Sequence, residues 1–157
     1  MSNILIPTKS PEDWKALLAE PDKQWTSGYS DKALAYCWEE ANGFPASVRS
    51  VLAKSGAPFS NLEPLLILPE YKVPLPGGQR PSQNDIWVLA KSKNELVSIA
   101  VEGKVSEHFG PTLQEWMEQD SPGKRERLEF LKNELCLNET IPKTIRYQLL
   151  HRTVSAI

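Results

Sequence analysis

A chain of 157 residues, 40% hydrophobic and 24% charged, has the size and composition of a globular domain with a core of its own. A net charge of −2 excludes a polycation built for sequence-blind nucleic-acid binding, and no apolar run approaches bilayer-spanning length. The two cysteines, Cys37 and Cys136, stand in no CxxC spacing, which argues against a disulfide framework or a thiolate zinc site; both are expected reduced and buried. The opening stretch, Met1 to Pro7, is too short and too uncharged for a signal peptide, so a cytoplasmic protein with no membrane partner is expected. Charge is uneven along the chain: net −3 over residues 1–70, +2 over 71–104, −4 over 105–139 and +3 over 140–157.

Ser10-Pro11-Glu12-Asp13 is a helix-start signal, with Trp14, Leu17 and Leu18 on the apolar side of the helix it opens. Ser30 is placed to cap a second helix, in which Ala33, Leu34, Cys37, Trp38 and Ala41 recur at helical spacing until Asn42-Gly43 ends it. Pro45 opens a third, through Val48, Val51 and Leu52 to Gly56. A fourth, short helix is expected from Asn61 to about Leu68, with Pro64 in its first turn. Tyr71 to Leu75 reads as a short strand at a sheet edge, because Pro74 cannot donate to a central ladder. After the loop Pro76–Gln83 come two apolar strands around the turn Ser92-Lys93-Asn94. Thr112-x-x-Glu115 is a capping box opening a helix with Leu113, Trp116 and Met117. Ser121-Pro122 opens another through Leu128, Leu131 and Leu135, and Pro142 the last, with Ile145, Leu149, Val154 and Ile157 on one side. The expectation is a single α/β (α+β) domain over 1–157, with a short mixed sheet and a central β-meander flanked by helices. Its helical part covers about 1–68, the meander about 71–105 and the C-terminal helices about 112–157.

Folding the hairpin about its turn brings Asp85 opposite, or nearly opposite, Glu102. Like charges so placed lie about 5 Å apart at Cβ and repel. Side chains alternate along a strand, so Ser98, Ala100, Glu102 and Lys104 share one face while Val97, Ile99, Val101 and Val105 form a core face. Two carboxylates and a lysine at a strand end suit a divalent cation, Mg²⁺ or Mn²⁺, with Asp85 and Glu102 as ligands. Lys104 would then orient the attacking water and stabilise developing negative charge. The plainer alternative is a surface hairpin on which Glu102 and Lys104 form an ion pair worth under about 1 kcal/mol. A one-residue register slip would send Asp85 to the other face.

Asp85 at the start of one strand and Glu102-Gly103-Lys104 on the next resemble the motif of the PD-(D/E)xK superfamily, the restriction endonuclease-like fold. Ala-Val-Glu-Gly-Lys-Val-Ser-Glu and Arg-Tyr-Gln-Leu-Leu-His-Arg-Thr suggest a bacterial branch of it. The resemblance covers about residues 30–157 in element order, but three side chains carry it. Asn84 stands where the superfamily has proline, and the strand that normally follows the last helix is missing. It implies metal-dependent phosphodiester hydrolysis, with nucleic acid, DNA first, as substrate and Asp85, Glu102 and Lys104 as catalytic residues. It also implies an added carboxylate from the early helix, for which Glu39 is the candidate. The alternative from another class is a nuclease-like fold that binds or regulates without turnover.

Glu107, just past the motif, is a candidate supporting acid, and Gln148 a further accessory candidate. Arg146 and Arg152 on the last helix are candidate phosphate contacts, against the plainer reading of a solvated face. His108 beside a Gly-Pro loop reads as structural. Ile157 ends inside an apolar pattern, which suggests either a missing C-terminal piece or a partner; a homodimer through the last helix or a sheet edge is expected.

Overall fold

Between residues 11 and 54 the chain coils into helical segments because turn residues punctuate it and apolar residues recur every three or four positions. The computed structural model describes residue 4 and residues 8–56, 58–137 and 139–157; of the stretch Met1–Pro7, all but Ile4 lies outside the described residues. Helices α1 (Pro21–Gln24), α2 (Ser30–Ala41) and α3 (Ala46–Lys54) precede the strands β1 (Glu63–Val73), β2 (Ser82–Ser92) and β3 (Glu95–Val101). Helices α4 (Leu113–Met117), α5 (Pro122–Glu134) and α6 (Tyr147–Val154) follow. The strands make one antiparallel sheet in the order β1–β2–β3, and the fold is α+β. An isolated parallel bridge joins Ile4 to Ile67. Among the described residues no helix is long and apolar enough to cross a membrane.

The chain divides into two compact units. One is drawn from Met1–Tyr71 and Asp85–Glu107, the other from Lys72–Asn84 and His108–Ile157. The first has a core of Trp14, Ala35, Trp38, Phe44, Ile67, Ile86, Val88 and Ala90, with Ile99 and Val101 packed against it. The second has a core of Leu75, Leu131, Tyr147, Leu150 and Val154, with the indole of Trp116 stacked on Tyr147 at 3.9 Å. The capping box at Thr112 and Glu115 forms, and Ser121 caps α5 by accepting from the Lys124 N–H at 3.2 Å.

Several expectations need correction. Asn61–Leu68 is not helical: a short 3₁₀ turn (Phe59–Asn61) leads into β1, which runs from Glu63 and takes in the whole apolar stretch. A continuous run such as Leu65-Leu66-Ile67-Leu68 fits a buried strand as well as a helix turn, and Pro64 is tolerated because β1 is an edge strand. The first helix is a 3₁₀ helix, Pro11–Leu17. Ser30 is the first residue of α2, not its cap. The last helix starts at Tyr147, not Pro142, and buries Tyr147, Leu150 and Val154, leaving Leu149 and Ile157 exposed. Both cysteines are exposed: the buried stripe of α2 is Asp31, Ala35 and Trp38, and Cys37 points off it. Val105 lies beyond β3 and is exposed, so it is no part of the core face.

Candidate functional site

The hairpin turns at Lys93-Asn94, and Ile86 pairs with Val101, Val88 with Ile99 and Ser92 with Glu95. One further step of this register sets Asp85 against Glu102. Asp85 is 8% exposed, and its Oδ2 accepts from the Gly103 N–H at 2.8 Å. Burial, then the charge of Glu102, push its carboxyl up to about 7 against the opposing pull of the Gly103 N–H and Lys104. Lys104 Nζ donates to Glu102 Oε1 at 2.6 Å, so the ion pair of the plainer reading forms, half-buried with side-chain exposures of 20% and 15% rather than fully solvated.

Two further carboxylates close on Asp85. Asp31 is in the first turn of α2, and Glu70 is near the end of β1; one oxygen each of Asp31, Glu70 and Asp85 lies within 4.8 Å of the others. Asp31 is raised by burial, against a hydrogen bond from Gln24 Nε2 at 3.4 Å, with Glu107 adding like-charge repulsion and Lys104 partly offsetting it. Glu70 holds a left-handed backbone, φ 52°, within a strand. That conformation breaks the two-residue alternation of β1, so Pro69 and Glu70 are both buried, and it strains the backbone by about 1–2 kcal/mol.

Of the candidate ligand pair, Asp85 joins this group, and Glu102 lies close enough to add to the repulsion on it. Glu102 is turned onto Lys104, and the acids grouped with Asp85 are Asp31 and Glu70. Glu39 is not the helix carboxylate of this group; its Oε1 accepts from the Trp14 indole N–H at 2.8 Å. Eight residues separate it from Asp31, more than two turns along α2. Asp31 was detectable in the sequence, since it falls four and seven residues before Ala35 and Trp38 on one helix face. Glu70 had no such signal, because a positive φ inside a strand leaves no trace in the pattern.

Glu107 joins the far end of the motif to α2. Its Oε1 accepts from the Ser30 N–H at 2.7 Å and from the Ser30 hydroxyl, and its Oε2 accepts from the N–H groups of Val105 and Ser106 at 3.0 and 2.9 Å. Burial alone would raise this carboxyl, but these donors hold it down to about 2. His108 is exposed.

The remaining candidates lie in the other unit. Arg146 Nη1 donates to the Gly110 carbonyl at 3.0 Å and stands 3.8 Å from Glu115, and Gln148 Oε1 accepts from the Gly110 N–H at 3.4 Å. Arg152 Nη1 donates to Ser82 Oγ at 3.0 Å. Asn84, the departure from the superfamily's proline, is fully buried, and its Oδ1 accepts from Ser155 Oγ at 2.7 Å, a bond proline could not make.

The fold and these acids define an α+β domain that gathers carboxylates and a lysine at the open end of a β-hairpin. The chain belongs to a family described as a domain of unknown function (DUF6946), whose model matches residues 7–157. No curated protein and no solved structure matches it.

Proposed function

We propose that this protein is a divalent-cation-dependent phosphodiester hydrolase of the restriction endonuclease-like kind, acting on nucleic acid and on DNA first. The observation that carries this reading is the convergence of Asp31, Glu70 and Asp85 within 4.8 Å, at the hairpin end that also holds Glu102 and Lys104. The donor set fits the cation: three hard carboxylate oxygens suit Mg²⁺ or Mn²⁺, and Asp85, raised to about 7 by burial and a like charge, is a group whose ionised form a cation would favour. Asp31, Glu70 and Asp85 would hold the metal. When bound, it supplies Lewis acidity toward a phosphate oxygen and lowers the pKa of water. Glu102 fixes the Lys104 ammonium by their hydrogen bond, and Lys104 faces the negative charge that develops on the phosphoryl group.

A cleavage assay on single- and double-stranded DNA and RNA, with Mg²⁺ or Mn²⁺ and with EDTA, tests this. Metal-dependent products that disappear in Asp85→Asn and Lys104→Ala support it. Binding of nucleic acid with no product under any metal would instead favour the module that binds without turnover, the reading that the tight Glu102–Lys104 pair favours by engaging the lysine. The same proposal places the protein in the cytoplasm and pairs it as a homodimer, with the exposed Leu149 and Ile157 as candidate contacts; light scattering giving a monomer mass at high concentration would remove the dimer.

A further inference from the structure

The segment that follows β3 leaves the sheet and must still keep Glu102 and Lys104 beside an acid that comes from a helix. Two contacts fasten it. At Gly103 the backbone passes so close to α2 that an added Cβ would sit 2.6 Å from Leu34 Cδ1 and 3.0 Å from Ser30 Cβ. At Glu107 both carboxylate oxygens are in use, one on the Ser30 N–H and hydroxyl in the first turn of α2, the other on the N–H groups of Val105 and Ser106. One side chain thus satisfies an orphan donor at a helix N-terminus and folds its own loop back. Asp31 is the next residue of that helix turn, and the Gly103 N–H, four residues before Glu107, donates to Asp85.

We propose that Glu107 is a positioning residue, a clasp between residues 103–107 and the first turn of α2 that holds Asp31 in register with Asp85. It touches neither substrate nor cation. The proposal rests on the reading of Asp31, Glu70 and Asp85 as a cation site, and it adds a geometric claim that can be judged without a cation. With the clasp opened, the close packing at Gly103 alone does not fix the helix turn against the strand end, and the acids drift apart.

Amide hydrogen exchange on the whole chain is the first measurement, in wild type, Glu107→Gln and Glu107→Ala. Glutamine keeps the size of the side chain but turns an NH₂ toward at least one set of donors. Ser30→Ala, which removes only the hydroxyl, provides a milder variant should Glu107→Ala fail to fold. Protection at Val88 and Ala90 certifies the folded hairpin. The decisive amide is Gly103, which Glu107 does not contact. Its exchange is expected to quicken by about 10-fold or more in Glu107→Gln, and by less in Ser30→Ala. Loss of protection confined to Ser30, Val105 and Ser106, with Gly103 as slow as in wild type, would overturn the proposal, since Glu107 would then be a local tie only. The second measurement is Mn²⁺ affinity, expected to weaken about 10-fold in Glu107→Gln. Wild type that binds no Mn²⁺ would sink the cation reading and leave Gly103 as the judge of the clasp. Wild type that binds Mn²⁺, with Glu107→Gln binding equally well, would overturn the clasp and leave the cation reading standing.

Discussion

Each of the two units buries charged and polar side chains, and they treat them in opposite ways. In the unit built on Lys72–Asn84 and His108–Ile157, Arg127 is 8% exposed and its guanidinium donates to the carbonyls of Leu75, Pro76, Gly78 and Arg80. Ser82, His151 and Arg152 form a chain of hydrogen bonds, and Asn84 meets Ser155. There, donors meet acceptors, the buried Asn84 Nδ2 being the exception among the described residues. In the unit with the hairpin, carboxylates meet carboxylates. Asp31, Glu70 and Asp85 converge, Glu102 adds to the repulsion at Asp85, and Glu70 adopts a strained backbone to take part. The first arrangement shapes a loop and stabilises it. The second opposes stability, and the proposed cation site rests on that repulsion.

The largest expected effect comes from breaking the satisfied side. Arg127→Met removes the donors that hold residues 75–80 on α5 and leaves buried carbonyls unpaired, which should destabilise the fold by about 3–5 kcal/mol. Gly77 tightens the same contact, since a Cβ there would sit 2.2 Å from the Gly123 carbonyl oxygen. Urea unfolding measures the loss, and a change under about 1 kcal/mol would mean that the loop keeps its shape without the arginine.

Breaking the repulsive side should have the opposite sign. The Asp85 carboxyl is raised from an ordinary 3.8 to about 7 in the fold. Between those values the native state holds more protons than the unfolded chain. Wild type therefore loses stability as pH rises through this window, and the deficit is complete above about 7. Asp85→Asn keeps an oxygen for the Gly103 N–H and drops the charge. At pH 8 without divalent cation it should be more stable than wild type by on the order of 2 kcal/mol, and the difference should vanish near pH 4. Equal melting temperatures at pH 8 would contradict the account of this site as mutually repelling carboxylates.

What the sequence made legible follows the same division. The hairpin was readable because strand alternation and a short polar turn at Ser92-Lys93-Asn94 set the register to within about a residue, so Asp85 and Glu102 could be placed opposite, or nearly opposite, each other by counting. Capping signals at Thr112, Glu115 and Ser121 were readable because they act within one turn. Glu70 was hidden, since nothing in Leu-Pro-Glu-Tyr signals a positive φ. Its strand was hidden too, because a run of leucines around prolines has no period that separates strand from helix. The helix acid grouped with Asp85 is Asp31 rather than Glu39, and its spacing to Ala35 and Trp38 carries that signal once their face is known to be the buried one. The start of α6 was set too early because Pro142 looks like a helix opener, whereas Ile145 turns back on the Pro142 carbonyl and Arg146 bridges to Thr112.

A cation should reverse the repulsion, and the comparison sharpens if it does so only where the acids are. Mg²⁺ or Mn²⁺ at ten times its dissociation constant should raise stability by about 1.4 kcal/mol through mass action. Asp31→Asn, Glu70→Gln and Asp85→Asn should each remove most of that gain, whereas Arg146→Ala should keep it. Glu102→Gln should reduce it less than Asp85→Asn does, because Glu102 is engaged by Lys104. A melting temperature flat across millimolar metal in folded protein would count against a preformed site.

The smallest expected effect probes the satisfied side by acid. Arg152 Nη1 donates to Ser82 Oγ at 3.0 Å, and that oxygen lies 2.9 Å from His151 Nδ1, so the imidazole sits buried in a chain of hydrogen bonds that ends on a guanidinium. Burial first, then the charges of Arg152 and Arg127, hold the imidazole at about 3, well below its ordinary 6.5. Below pH 6.5 the unfolded chain takes up a proton that the folded ring refuses until about pH 3. Stability tied to His151 is thus fully present above 6.5 and is lost as pH falls from there toward 3. The loss should reach about 1 kcal/mol by pH 5.5. Over this range Asp85 works the other way, since its native state gains stability as pH falls from 7. Wild type alone would therefore show the two nearly cancelling, and the variants separate them. In Asp85→Asn the acid-side loss should stand out, and adding His151→Gln should flatten it. An Asp85→Asn protein whose stability holds level from pH 7 to 5 would show that the imidazole is free to charge inside the fold.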